Sequence, residues 1–317
     1  MKKIFYTFIL SAFAVFFTNG ANAQETEVHV KEIPINFMKG SFNFAIAPGD
    51  LIQYQDTANR AMLNTYYLLS HMMLGLKCPD KLIDSTLIEV EKIFGTENML
   101  YGLALIPKAI EEDKNIALLD KATQIIKESE GDASWEYAFA LLQCANTTLD
   151  IDKYKTSEKS LAYMEKCLAA LEGYKDNWLY ALALSSRGLG KLYAQDESFI
   201  DDIMESYNLL LNSGNPELNL IPFAYSSITF GSVCNIVDLP DKALTILLPV
   251  IEVFKELELE KSEHYISLCA TLCYSYSLKK DKKKAKGFLM EAEQACIARF
   301  GKNSKQYRNL DSYRKLL

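Results

Sequence analysis

The sequence predicts an all-α chain: an α-solenoid of stacked antiparallel helical hairpins, preceded by a short extended or β-like N-terminal arm. Three observations carry that expectation. Gly231 and Ala243 stand twelve residues apart, as do Cys273 and Ala285, and the second pair follows the first by 42 residues. The same offset relates Phe230 to Leu272, Leu247 to Leu289, and Ser262-x-x-Tyr265-x-x-Leu268 to Ser304-x-x-Tyr307-x-x-Leu310. Such a period marks units that bury their apolar faces only on one another. The second observation is the scarcity of helix breakers, with 14 Gly and 8 Pro in 317 residues. The third is an apolar spacing close to 3.6 residues from Asp56 onward.

Residues 1–23 read as an export signal. Lys2 and Lys3 precede the apolar run Ile4 to Phe17, and Ala21-Asn22-Ala23 offers a small-x-small cleavage site. That run is shorter than the ~20 residues a membrane span needs. No Cys follows the site to carry a lipid. The expected product begins near Gln24 and is periplasmic or extracellular.

Residues 24–55 form the expected arm. Ile33, Ile35 and Phe37, then Phe42, Phe44 and Ile46, alternate with other residues around Lys39-Gly40-Ser41, which suggests short strands or an extended segment. Pro34 argues against a central strand. The arm is expected to pack on the first helices; a free leader is the alternative.

The repeat domain spans 56–317. Met62, Tyr66, Leu69 and Met73 mark a first helix, and Pro79-Asp80 opens a second that Gly95 stops. A third runs from Asn98 with Pro107 inside, where a kink is expected, and a fourth runs from Asn115 to Glu130. Trp135-Glu136-Tyr137 and Trp178-Leu179-Tyr180 open helices 43 residues apart, with Tyr154 to Leu171 as the partner helix between them. The pitch is regular from 132 to 317, whereas the register before 132 stays open. A last helix, Ser304 to Leu317, is expected to cap the array with a polar side.

Composition narrows the function classes. The net charge of −7, more negative once Lys2 and Lys3 are removed, is a poor match for nucleic acid. The seven Cys are odd in number and, apart from Cys78, sit at apolar helical positions, so they read as core residues rather than a disulfide framework. The three His lie far apart in sequence, and no metal-ligand spacing occurs. Ser277-x-x-Lys280 and Ser312-x-x-Lys315 lack the companion motifs of a nucleophilic site. Six Lys between Lys279 and Lys286 read as a solvated turn, with an anionic docking spot as the alternative. The sequence carries no catalytic motif and implies no cofactor.

Leu189-Gly190-x-x-Tyr193, Phe230-Gly231 with Ala243, and Leu272-Cys273-x-x-Tyr276 with Ala285 resemble the tetratricopeptide repeat, in a long-pitch variety of about 42 residues. Asp202 stands where the first unit should have Ala, Cys234 replaces a Tyr, and the closing Pro is absent. The resemblance implies a concave face that binds segments of other proteins. Carried over, that face would present Arg187, Lys191, Tyr225, Asn235, Tyr274 and Ser277 to a partner. The expected role is a non-enzymatic adaptor or scaffold of the bacterial cell envelope, whose partner is a protein or peptide segment. The alternative is a carbohydrate-handling accessory that stacks sugars on exposed aromatics such as Trp135 and Trp178. The oligomeric state stays open.

Overall fold

The structure, a computed structural model, describes residues 34–40, 42, 57–112, 114–151, 158–213 and 219–317. Its helices are α1 (Thr57–Met73), α2 (Asp80–Phe94), α3 (Met99–Glu111), α4 (Ile116–Glu130), α5 (Trp135–Ile151), α6 (Glu158–Ala170) and α7 (Trp178–Tyr193). They continue as α8 (Phe199–Leu211), α9 (Leu220–Ile236), α10 (Pro240–Glu256), α11 (Glu263–Leu278), α12 (Lys282–Phe300), α13 (Lys305–Asn309) and α14 (Asp311–Arg314). No strand occurs among the described residues.

The helix ends follow local chemistry. Asn98, Asn115, Asn177 and Ser262 each accept a backbone N–H from the first turn of the helix they open. Gly95, Gly131 and Gly301 end α2, α4 and α12 at positive φ combined with extended ψ, a backbone conformation that residues with a Cβ rarely adopt. Gln195, Asp238 and Lys280 adopt φ near +60° in the turns after α7, α9 and α11, so the 42-residue pitch also shows in the backbone.

Helices pack in consecutive pairs, α1 with α2 through α11 with α12, as in a helical solenoid. The odd-numbered helices also touch in series, so α1, α3, α5, α7, α9 and α11 form one layer against which the even-numbered helices lean. The pairs begin at α1, which supplies the register that the sequence left open before 132. One continuous core runs from Phe37 through Leu310.

Two elements differ from the sequence reading. Residues 34–38 are a helical turn rather than a strand, with Pro34 at its first position, where the missing N–H has no helical partner anyway. Phe37 and Phe42 are both buried. The remainder of the 24–55 arm, and the 1–23 export signal, lie outside the described residues. The last helix is two short ones: the N–H groups of Leu310 and Tyr313 bond three residues back, tightening the turn where Leu310 enters the core.

The layer also closes on itself. The Glu263 N–H at the start of α11 donates to the Gly75 carbonyl just past α1, at 3.0 Å. His264 Nε2 lies 3.1 Å from the Met73 carbonyl oxygen. No helix among the described residues is long and apolar enough to cross a membrane.

Candidate functional site

Of the six residues expected on a common partner-binding face, Arg187, Lys191 and Asn235 are engaged by other residues of the array. Arg187 Nε and Nη2 donate to the two Asp202 carboxylate oxygens at 2.7 and 2.8 Å, and Lys191 Nζ lies 2.9 Å from Asp202 Oδ2. Arg187 also reaches Glu165 of α6 at 3.5 Å. Both cations therefore point toward the even-numbered helices, and their charge is taken up by an Asp202 side chain that is only 6% exposed. Asn235 is buried, with Nδ2 donating to Ser275 Oγ at 2.8 Å across the α9–α11 contact. Ser277 Oγ donates to the Cys273 carbonyl. Tyr225 and Tyr274 are half-buried.

This arrangement also corrects the repeat register. A Cβ on Gly188 would lie 2.5 Å from Ile203 Cγ1 and 2.9 Å from the Phe199 carbonyl oxygen, whereas one on Gly190 would meet Leu161 of the preceding pair. Gly188 is thus the residue of close approach between α7 and α8. Asp202 is not a misfit in a small-residue slot; it lies beside that crossing, neutralised by Arg187 and Lys191.

The interior of the layer is filled where α1 meets α11. A cavity of about 90 Å³ remains, bounded by Met73, Gln143, Asn146, Tyr225 and His264 among others. The Tyr225 and His264 rings meet edge to face, with centroids 5.6 Å apart. Burial pushes the Tyr225 phenol up and the His264 imidazole down, so both are neutral near pH 7. His71, beside the same seam, is held at about 4 by burial and then by the Arg299 guanidinium.

Trp135 and Trp178 are each 2% exposed, and neither can stack a ligand. They form a socket instead. Phe37 meets Trp135, Trp178, Phe139 and Tyr66 at centroid distances of 5.5–6.3 Å, and Phe42 meets Trp178 at 5.1 Å. The Met38 carbonyl oxygen between them accepts two hydrogen bonds, from Asn177 Nδ2 at 2.9 Å and from Trp178 Nε1 at 2.8 Å. Asn177 is itself fixed: its Oδ1 accepts the Leu179 N–H at 2.9 Å and Trp135 Nε1 at 3.3 Å. The array thus grips a peptide segment by a main-chain carbonyl and by aromatic anchors.

Beside Asn177 and Trp178 opens a cleft of about 740 Å³, bounded by the first turn of α7, the length of α8 and Asn219 at the start of α9. Its α8 side carries Asp201, Glu205 and Asn208, followed by Asn212 at the C-cap of the helix. Their spacing of four, three and four residues places them on one helix face. That periodicity was readable in the sequence, as was Asn177 as a helix cap; the carbonyl it holds was not, because Met38 lies 139 residues away.

All seven Cys are buried and unpaired, and burial raises Cys78, Cys144 and Cys269 to about 12. In the lysine-rich turn, Lys279 pairs with Asp241, and Lys282 Nζ donates to the Leu317 carbonyl oxygen at 2.9 Å. Among the described residues no group of three His, Cys, Asp or Glu is placed to hold a metal. No protein-family model matches the chain, and no curated protein matches it.

Proposed function

We propose that this chain is an exported, non-enzymatic scaffold of the bacterial cell envelope, built of long-pitch tetratricopeptide-like hairpins, that holds a segment of a partner protein. The observation that carries this reading is the grip on residues 34–42. A layered helical array that captures a main-chain carbonyl with a carboxamide and an indole, and seats two Phe beside it, has the chemistry that segment recognition uses. The charge and the lysine-poor cleft also agree with a protein partner rather than a nucleic acid.

The expected surface changes with the structure. Arg187, Lys191 and Asn235 are engaged inside the array and drop out as contact residues. The carbohydrate reading is weakened, because its stacking platforms, Trp135 and Trp178, are buried. The test is affinity capture of the mature chain from envelope extract, with N-terminal sequencing of the native protein alongside. A discrete co-purifying protein and a chain starting at Gln24 are expected. Recovery of no partner, or of a cytosolic protein retaining Met1, defeats the reading.

A further inference from the structure

We infer that the cleft along α8 is a docking site for an extended, lysine- or arginine-bearing polypeptide segment; the inference rests on the scaffold reading and names its partner's chemistry. Four features of the cleft carry it. The first is an orphaned acceptor. Asn219 is only 9% exposed and its Nδ2 donates to Ser213 Oγ at 3.3 Å, yet its Oδ1 is buried without a partner. A buried carbonyl oxygen left unpaired is costly, and Asn219 lines the cleft, so a small rotation of its side chain would present that oxygen to a ligand N–H or ammonium there.

The second feature is charge. Asp176, Asp201 and Glu205 line the cleft against one cation, Lys175, whose ammonium already contacts Glu172 at 2.5 Å. The cleft therefore favours a cationic occupant. The third is register. Asn208 on α8 and Asn212, the residue that caps its end, are four residues apart, a rise of about 6 Å. That approaches the ~6.6 Å between alternate residues of an extended chain. Each carboxamide offers one donor face and one acceptor face, which match a peptide C=O and N–H. From Asp201 to Asn212 the wall runs about 16 Å, enough for roughly five extended residues.

The fourth is precedent within the molecule. Asn177 and Trp178, which bound one end of the cleft, already hold a peptide carbonyl. A sugar is disfavoured, since the one aromatic residue lining the cleft, Trp178, is buried edge-on against Phe42.

The test uses fluorescence anisotropy of the full chain with decapeptide probes of alternating Lys-Ala, Glu-Ala and Ser-Ala, with labelled maltohexaose as a fourth probe. The Lys-Ala peptide should bind and the Glu-Ala peptide should not. The double variant Asp201→Asn, Glu205→Gln should weaken binding on the order of 10-fold at low salt, and the gap should narrow at about 0.5 M salt. The double variant Asn208→Ala, Asn212→Ala should also weaken it on the order of 10-fold, and that loss should persist in salt, since its hydrogen bonds are not screened. Neutralising the exposed Glu91 and Glu97, on and just after α2 and outside the cleft lining, to Gln controls for the overall acidity and should change binding less than about 2-fold.

The inference is overturned by no Lys-Ala binding, by unchanged binding in either α8 variant, by an equal loss in the Glu91 and Glu97 control, or by maltohexaose as the one probe held. A protein captured equally by wild type and by the combined four-site variant also removes the cleft, while leaving the scaffold reading standing. A peptide held in the cleft with no protein ever recovered does the reverse.

Discussion

The α7–α8 and α9–α10 pairs share a pitch and a layer, yet they join their helices differently. At α9–α10 the crossing is apolar. Gly231 lets the helices approach, Leu247 fills the space, and Ala243 is fully buried. At α7–α8 the approach at Gly188 is flanked by a buried carboxylate holding two cations. The first arrangement is held by contact and area, and so is insensitive to charge. The second depends on every charge being matched, because a lone buried ion is far more costly than a matched set. The lesson is that a repeat fixes where helices meet without fixing what joins them.

The largest effect should come from unmatching the charges. Arg187→Ala with Lys191→Ala leaves Asp202 buried without a cation and should destabilise the fold by roughly 3–5 kcal/mol. On the sequence reading, with both cations on a binding face, the same pair of changes would barely move stability. Urea midpoints decide between the two. A double variant as stable as wild type would show that Asp202 is solvated in solution and that the two crossings do not differ in kind.

Next come the glycines. Gly188→Ala would press a methyl against the Phe199 carbonyl, and backbone cannot swing aside, so a loss of about 2–3 kcal/mol is expected. Gly231→Ala meets Leu247 Cγ and both its methyl carbons at 2.7–2.8 Å. A side chain can shift partway, and about 1–2 kcal/mol should be lost. Thermal denaturation of the two variants, run side by side, tests the order. If Gly231→Ala proves the costlier, the apolar crossing is the tighter of the two.

These positions also show how far the sequence could be read. The 42-residue recurrence was enough for paired helices, since the period survives any rotation of a helix about its axis. Rotation is what it did not convey. Gly188 and Gly190 both fit a small-residue pattern, and only the direction of each Cβ, toward Ile203 or toward Leu161, separates them. The same ambiguity put Arg187 and Lys191 on a partner face when they turn toward Asp202. The Trp135–Trp178 repeat was legible as an anchor, but its contact with Phe37 and Met38 bridges far-apart parts of the chain and leaves no local signal. The α1–α11 closure is of the same kind, since Met73 and His264 meet across 191 residues.

Replacing the charged triad outright should cost less than unmatching it. With Asp202→Leu, Arg187→Met and Lys191→Leu together, no ion is left buried and apolar volume fills the space between α7 and α8. Such replacements are often neutral or stabilising, by about 1–4 kcal/mol in well-packed sites, although here the partial exposure of both cations limits the gain. A change within about 1 kcal/mol of wild type is expected, with Glu165 losing only a weak surface contact. A large loss would mean that the triad's geometry, rather than its neutrality, sets the angle of the pair.

The smallest effect should be at Gly190, and it completes the contrast between the two glycines of α7. A Cβ there would meet Leu161 Cδ2 at 2.9 Å and Cγ at 3.3 Å. The nearer atom is the end of a half-buried side chain, which can turn away. Against that small repacking stands the gain from removing a Gly within a helix, about 1 kcal/mol relative to Ala. Gly190→Ala should therefore leave the denaturation midpoint within roughly 0.5 kcal/mol of wild type, in either direction. A loss as large as that of Gly188→Ala would return the α7–α8 register to Gly190 and place Asp202 back in the small-residue slot. Measured on the same day and in the same buffer, the two alanine variants isolate the direction of a single methyl, two residues apart on one helix.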